Sequence, residues 1–122
     1  MTTEQKREYP EEYEFVGFFE CEPKMTDSDV PWCYNTAAYT TVRNGLRVEC
    51  TISPGYGDMD LLVLNGEEQL VRLSVNHIQK IEFEATAESE KMIVEFNEGT
   101  TLHPLILQLK PTVSVSWGTE QQ

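Results

Sequence analysis

Two Asn-Gly dipeptides, each set between runs of alternating apolar and polar residues, constrain this chain more than any other feature. TAAYTTVR (36–43) runs into Asn44-Gly45 and continues as LRVECTIS (46–53). MDLLVL (59–64) runs into Asn65-Gly66 and, after two acids, continues as QLVRLSVN (69–76). A two-residue turn of type I′ needs positive φ at both central positions, which Asn-Gly adopts at little cost. Period-two apolar runs on both sides place one face of each strand on a core. The pattern therefore predicts two antiparallel hairpins in immediate succession.

The alternation continues towards the C-terminus. HIQKIEFEA (77–85) and KMIVEFN (91–97) flank the polar loop TAESE (86–90), and Asn97-Glu98-Gly99 reads as a further turn. HPLILQLK (103–110) and TVSVSWG (112–118) follow, separated by Pro111. Nearer the start, the aromatic-rich YEFVGFFEC (13–21) reads as a first strand, with Gly17 as a bulge. EPKMTDSDVP (22–31) reads as a loop. No segment sustains a helical apolar stripe over three turns, and the best candidate, EQKREYPEEYEF (4–15), is interrupted by Pro10. The expected fold is all-β: an antiparallel sandwich or barrel of about eight or nine strands, between which sequence does not choose.

A chain of 122 residues fits one domain, 1–122, with enough length for a core that needs no metal or disulfide framework. Residues 1–8 and 119–122 lack apolar periodicity and are expected to be flexible ends. The opening MTTEQKREYPEE has no apolar signal core, and no apolar run approaches the roughly 20 residues of a membrane helix, so a cytoplasmic location is expected. Cys21, Cys33 and Cys50 are odd in number and widely spaced, which argues against a disulfide scaffold. Cys50 alternates with Leu46, Val48 and Ile52 and reads as a core thiol.

Charge narrows the function further. With 21 acids against 9 bases the net charge is −12, which disfavours direct binding to nucleic acid or to an anionic membrane and favours a basic protein partner. The acids come in two blocks. Residues 1–30 carry nine acids and three bases, net −6, and residues 58–98 carry ten acids and three bases, net −7. The stretch between them is nearly neutral.

No residue pattern in the chain completes a catalytic or metal site. His77 and His103 stand far apart with no Cys-x-x-Cys pair, so no metal or other cofactor is expected. Asp58-Met59-Asp60 lacks the later ligands of a calcium loop, and SPGYGD (53–58) lacks the lysine and following helix of a phosphate loop. Cys33 in PWCYN has no evident base to hold it as thiolate. Carboxylate pairs are abundant, but alternating outward on a strand leaves them solvated, unlike the acid of a glycosidase cleft. No catalytic residues are assigned, and the chain is read as a non-enzyme.

The carboxylates themselves then become the candidate site. If residues 80–84 pair with 92–96, Glu82, Glu84 and Glu95 share an outward face, with Glu88 and Glu90 in the connecting loop and Glu98 beyond. Like charges opposite one another in a sheet are destabilising; Arg72, Lys80 and Lys91 would offset part of the repulsion. The surplus suits steering of a basic partner and also suits edge protection. Exposed aromatics, Tyr9, Tyr13, Trp32, Tyr34 and Tyr56, would supply anchors. The expected function is a non-catalytic acidic binding protein that neutralises a basic partner, as toxin-neutralising immunity proteins and nuclease inhibitors do. Its binding residues would be Glu82, Glu84, Glu88, Glu90, Glu95, Trp32, Tyr34 and Tyr56. The alternatives are a small-ligand-binding β-barrel, or an enzyme on such a barrel.

Overall fold

The structure, a computed structural model, describes residues 8–97 and 103–117. The Glu98–Gly99 part of the expected turn and most of the two expected flexible ends lie outside the described residues. The described chain forms nine strands and one short helix. These are α1 (Glu12–Phe19), β1 (Lys24–Met25), β2 (Ala37–Arg43), β3 (Leu46–Ser53), β4 (Asp58–Asn65), β5 (Glu68–Val75), β6 (Ile78–Ala85), β7 (Glu90–Phe96), β8 (Leu105–Lys110) and β9 (Ser114–Ser116). A 3-10 turn covers Trp32–Tyr34. The strands build two antiparallel sheets, ordered β1-β2-β3-β4-β5 and β6-β7-β8-β9. Neither sheet closes on itself, so the barrel alternative is set aside.

The first hairpin is the one Asn44-Gly45 predicts. Arg43 pairs with Leu46, and Asn44 and Gly45 have φ of 53° and 80°, both positive as a type I′ turn requires. The second hairpin forms one residue later than its dipeptide suggests. Asn65 pairs with Glu68, so Gly66-Glu67 is the turn, and only Gly66 has positive φ. Asn65 is thus the last residue of β4, and a bulge after Val63 absorbs the offset on the β5 side. Asn76-His77 carries the chain from the first sheet to the second, with His77 at φ 62°.

The N-terminal segment overturns the strand reading of residues 13–21. Period two would put Phe18 on the face opposite Phe15 and Phe19. The observed helix places all three on one buried face at i, i+3 and i+4. Pro10 ends the extended chain just ahead of this helix rather than interrupting it. The Glu14 carboxylate accepts a hydrogen bond from the Glu11 N–H at 2.7 Å, and the Glu14 N–H donates to the Glu11 carbonyl at 2.9 Å. Acids in a first turn also suit the positive end of the helix dipole. At the other end Glu20 adopts the left-handed conformation, and Arg43 donates from Nη2 to the Phe18 carbonyl at 3.4 Å while ion-pairing with Glu20. The ninth strand is therefore not YEFVGFFEC but β1, two residues inside the predicted 22–31 loop, paired to Ala37 and Ala38.

One core joins both sheets and the helix. Tyr39, Val48, Cys50, Ile52 and Leu61 come from the first sheet, Ile81, Met92, Val94, Leu105 and Leu107 from the second, and Phe15, Phe18 and Phe19 from α1. Phe15 is the aromatic hub, with ring centroids 5.1 Å from Trp32, 5.9 Å from Tyr39 and 5.0 Å from Phe83. Full burial of a side chain of this kind stabilises by roughly 1.5–3 kcal/mol. The Tyr39 hydroxyl is buried but accepts a hydrogen bond from Trp32 Nε1 at 3.0 Å. That burial pushes its ionisation well above the ordinary tyrosine value. All three cysteines are free thiols, and burial, with a smaller contribution from the Asp60 charge, pushes the Cys50 thiol up to about 12.

Candidate functional site

The predicted pairing of residues 80–84 with 92–96 is present as β6 against β7. Register sets Lys80 opposite Glu95, Glu82 opposite Ile93, and Glu84 opposite Lys91. Glu82, Glu84 and Glu95 therefore share the outward face, as expected. That face is a mixed one. Lys80 Nζ lies 3.7 Å from Glu82 and 3.9 Å from Glu8, and Ile93 is followed across β8 by Ile106. Arg72 contributes nothing here: β5 belongs to the other sheet, where Arg72 faces out opposite Leu62. Exposed pairs such as Lys80–Glu82 contribute about 0–1 kcal/mol each, but they cancel field as well as repulsion.

Glu88 lies in the 86–89 turn, exposed, its N–H donating to Thr86 Oγ1 at 3.2 Å. Glu90 is not in that loop. It is the first residue of β7, opposite Ala85 and Lys110, with Lys110 Nζ at 3.3 Å from its carboxylate. Strand parity puts it with Met92 and Val94 on the side facing α1, away from Glu82 and Glu84. Trp32 is not the exposed anchor expected; it is half-buried against Phe15 and bound to Tyr39. Tyr34 and Tyr56 are exposed at 75% and 76%. Their loops touch: a Cβ on Gly55 would lie 3.1 Å from the Cys33 carbonyl and 4.0 Å from the Tyr34 Cα.

The larger concentration of acids lies elsewhere, along the seam between α1 and β6. Glu8 is fastened to β6 by two backbone bonds, its N–H to the Gln79 carbonyl and its carbonyl from the Ile81 N–H, each 2.9 Å. The chain then passes Tyr9 and Pro10 into α1. Three hollows follow one another along this seam. The first, about 270 Å³, is lined by Glu14, Gly17 and Phe18 from the helix, Phe83, Glu84 and Ala85 from β6, and Glu90 from β7. The second, about 310 Å³, shares Glu14 and Phe83 with it and adds Glu8, Tyr9, Pro10, Lys80, Ile81 and Glu82. The third, about 380 Å³, continues from Tyr9 and Pro10 to Glu11, Glu12, Trp32 and Cys33.

The seam thus brings together the two acidic blocks that are separated in sequence. Seven acidic residues contribute to its lining, although strand parity turns the Glu82 and Glu84 carboxylates to the outward face, and Lys80 is the one basic residue among its described lining residues. Glu8, Glu11, Glu12 and Glu14 were not among the sequence-derived site residues. Their signal was the Glu-x-x-Glu spacing ahead of three phenylalanines at helical intervals, which the strand reading hid. Chemically the seam presents acidic side chains beside the aromatic rings of Tyr9, Trp32, Phe18 and Phe83. Among the described residues no three His, Cys, Asp or Glu side chains are grouped as a metal ion would require, and no helix is long and apolar enough to cross a membrane.

No protein-family model matches the chain, and no curated protein matches it in sequence. Among solved structures, it is similar to a chain of a contact-dependent growth inhibition toxin–immunity protein complex from Klebsiella pneumoniae 342. The superposition has a TM-score of 0.79 at 18% identity and covers 96% of this chain and 100% of that one. The two chains share a fold along their whole length.

Proposed function

We propose that this chain is an immunity-type protein: a non-catalytic, acidic binder that neutralises a basic toxin in the cytoplasm of the cell it protects. The observation that carries the reading is the full-length likeness to a chain of a toxin–immunity complex. Charge supports the immunity role within such a pair. A net charge of −12, with carboxylates from both acidic blocks along one seam, suits a protein that draws in and covers a basic surface. The same likeness supports a second reading, that this chain is the toxin; for a toxin acting on nucleic acid the acidity works against it, because phosphate contact relies on Lys and Arg. The small-ligand alternative draws less support, since the inward strand positions are filled by apolar side chains.

The test is affinity capture on this chain at low salt from the source cell, with elution by salt. The reading expects a captured protein of high isoelectric point that arrests growth when expressed alone and ceases to do so when co-expressed with this chain. Growth arrest caused by this chain itself would assign it the toxin role. Failure of co-expression to rescue growth would count against neutralisation.

A further inference from the structure

The two sheets have four edge strands, β1, β5, β6 and β9, and three of these are short or covered. β1 has two residues and β9 three. β6 is covered by Glu8, whose backbone bonds to Gln79 and Ile81 run along it. β5 is the exception. It has eight residues, pairs with β4, and has no strand on its other side among the described residues. An open edge of that length presents a row of backbone donors and acceptors to any strand that can approach. The bulge at Leu70 interrupts its first half and leaves residues 71–75 in regular register.

The side chains of that stretch point the same way. Val71, Leu73 and Val75 face the inside of the sandwich, opposite Val63, Leu61 and Met59. Those β4 residues are buried, whereas Val71 and Leu73 are only half-buried. On the outer face Arg72 and Ser74 are exposed, as is Asp60, which stands opposite Ser74. Among the described residues neither Arg72 nor Asp60 forms an ion pair. Arg72 is the one charged residue between Gln69 and Val75, so an approaching copy of this acidic chain meets no row of carboxylates along the strand.

We propose that β5 pairs with β5 of a second copy of this chain, antiparallel about a two-fold axis at Leu73, joining two five-stranded sheets into one of ten. In this register Leu73 lies opposite Leu73 of the second copy, Val71 opposite its Val75, and Arg72 opposite its Ser74. Inward residues meet inward residues, so the half-buried Val71 and Leu73 gain apolar cover. Arg72 reaches past the small Ser74 side chain of the second copy to Asp60 on the strand behind it, and symmetry makes that ion pair twice. An axis at Arg72 would instead set two guanidinium groups opposite each other, which is destabilising. None of the residues lining the acidic seam belongs to β5, so pairing at this edge does not draw on the seam.

The test is sedimentation velocity of the full chain by itself, over a concentration series at physiological salt. The mass should rise from one chain to two, and hydrogen exchange at residues 71–75 should slow over the same series. Arg72→Asp and Asp60→Arg should each weaken self-association about tenfold, because each replaces an attraction made twice with a repulsion made twice. Combining the two reversals should restore it. If Asp60→Arg disturbs β4, Arg72→Asp on the exposed side of β5 carries the test with the wild-type series. A single chain mass at every concentration would overturn the proposal. So would a dimer indifferent to the single reversals, or a double reversal that folds and does not recover association. Slowed exchange at residues 71–75 only in the presence of a captured toxin, with the chain monomeric by itself, would give the edge to that partner and equally overturn self-pairing.

Discussion

The outward face of β6–β7 and the seam between α1 and β6 both carry carboxylates, yet different neighbours stand beside them. On the sheet face Glu82 has Lys80 at 3.7 Å, Glu84 is registered with Lys91, and Glu95 is opposite Lys80, with Ile93 between them. Along the seam, Glu8, the acids of the α1 start and Glu90 of β7 lie beside Tyr9, Phe18 and Phe83, with Lys80 as the one base lining it among the described residues. Outward alternation on a strand distributes charge. A helix laid against a sheet edge concentrates it, because residues one turn apart face strand residues from another part of the sequence. The seam is therefore expected to steer a basic partner more strongly than the sheet face, although the sheet face is where sequence alternation draws the eye.

That contrast depends on α1 being an integral part of the core. Phe15→Ala removes the ring that contacts Trp32, Tyr39 and Phe83 and should cost about 3–5 kcal/mol in chemical denaturation. A loss under about 1 kcal/mol, the range of surface substitutions, would mean that the helix is only loosely attached and that the seam is no fixed surface.

The interior offers a second, smaller effect. The Cys50 thiol, pushed up to about 12 by burial, ionises near its ordinary value once the chain unfolds. Between those two values the folded state holds a proton that the unfolded state has lost. This contribution is therefore intact below about pH 8.5 and is lost as pH rises towards 12, at up to about 1.4 kcal/mol per pH unit. Tyr39, also raised, adds to the same alkaline slope above its own unfolded value. Thermal melts from pH 8 to 11 should show falling stability, less steep in Cys50→Ala. An unchanged slope in that variant would contradict the burial argument.

The smallest effect belongs to the sheet face. Glu82→Gln with Glu95→Gln relieves little repulsion and loses little attraction, because Lys80 is close to one and opposite the other. Stability should move by no more than about 0.5 kcal/mol in either direction. A larger gain would show that like-charge strain on this face is not offset.

Which parts of this arrangement can be read from sequence follows from how local their determinants are. The β2–β3 turn is legible because Asn44-Gly45 satisfies the φ requirement within two residues. β6 is legible because Ile81 and Phe83 alternate with Glu82 and Glu84, and β7 because Met92 and Val94 alternate with residues on a mixed outer face. Helix α1 is not, since eight residues with three phenylalanines and a glycine satisfy strand propensity and helical spacing alike. Packing of Phe15, Phe18 and Phe19 on a single core decides between them. β1 is too short for any periodicity. Glu82, Glu84 and Glu95 could be placed on one face, but not weighed against the seam, because Glu14 and Glu90 meet only after the helix docks.

The most direct measurement compares association rates of the captured basic partner with two charge-neutralised variants. Glu14→Gln with Glu90→Gln acts on the seam and keeps an acceptor at the helix start, since Gln serves there as well as Glu. Glu82→Gln with Glu95→Gln acts on the sheet face. With a screening length of about 8 Å at 0.15 M salt and about 30 Å at 0.01 M, steering appears mainly at low ionic strength. The seam variant should associate several-fold more slowly than wild type at low salt, with a flatter salt dependence, while the sheet-face variant stays within about twofold. Equal rates for all three proteins, or a slower sheet-face variant than seam variant, would contradict the assignment of the seam as the surface that draws in the partner.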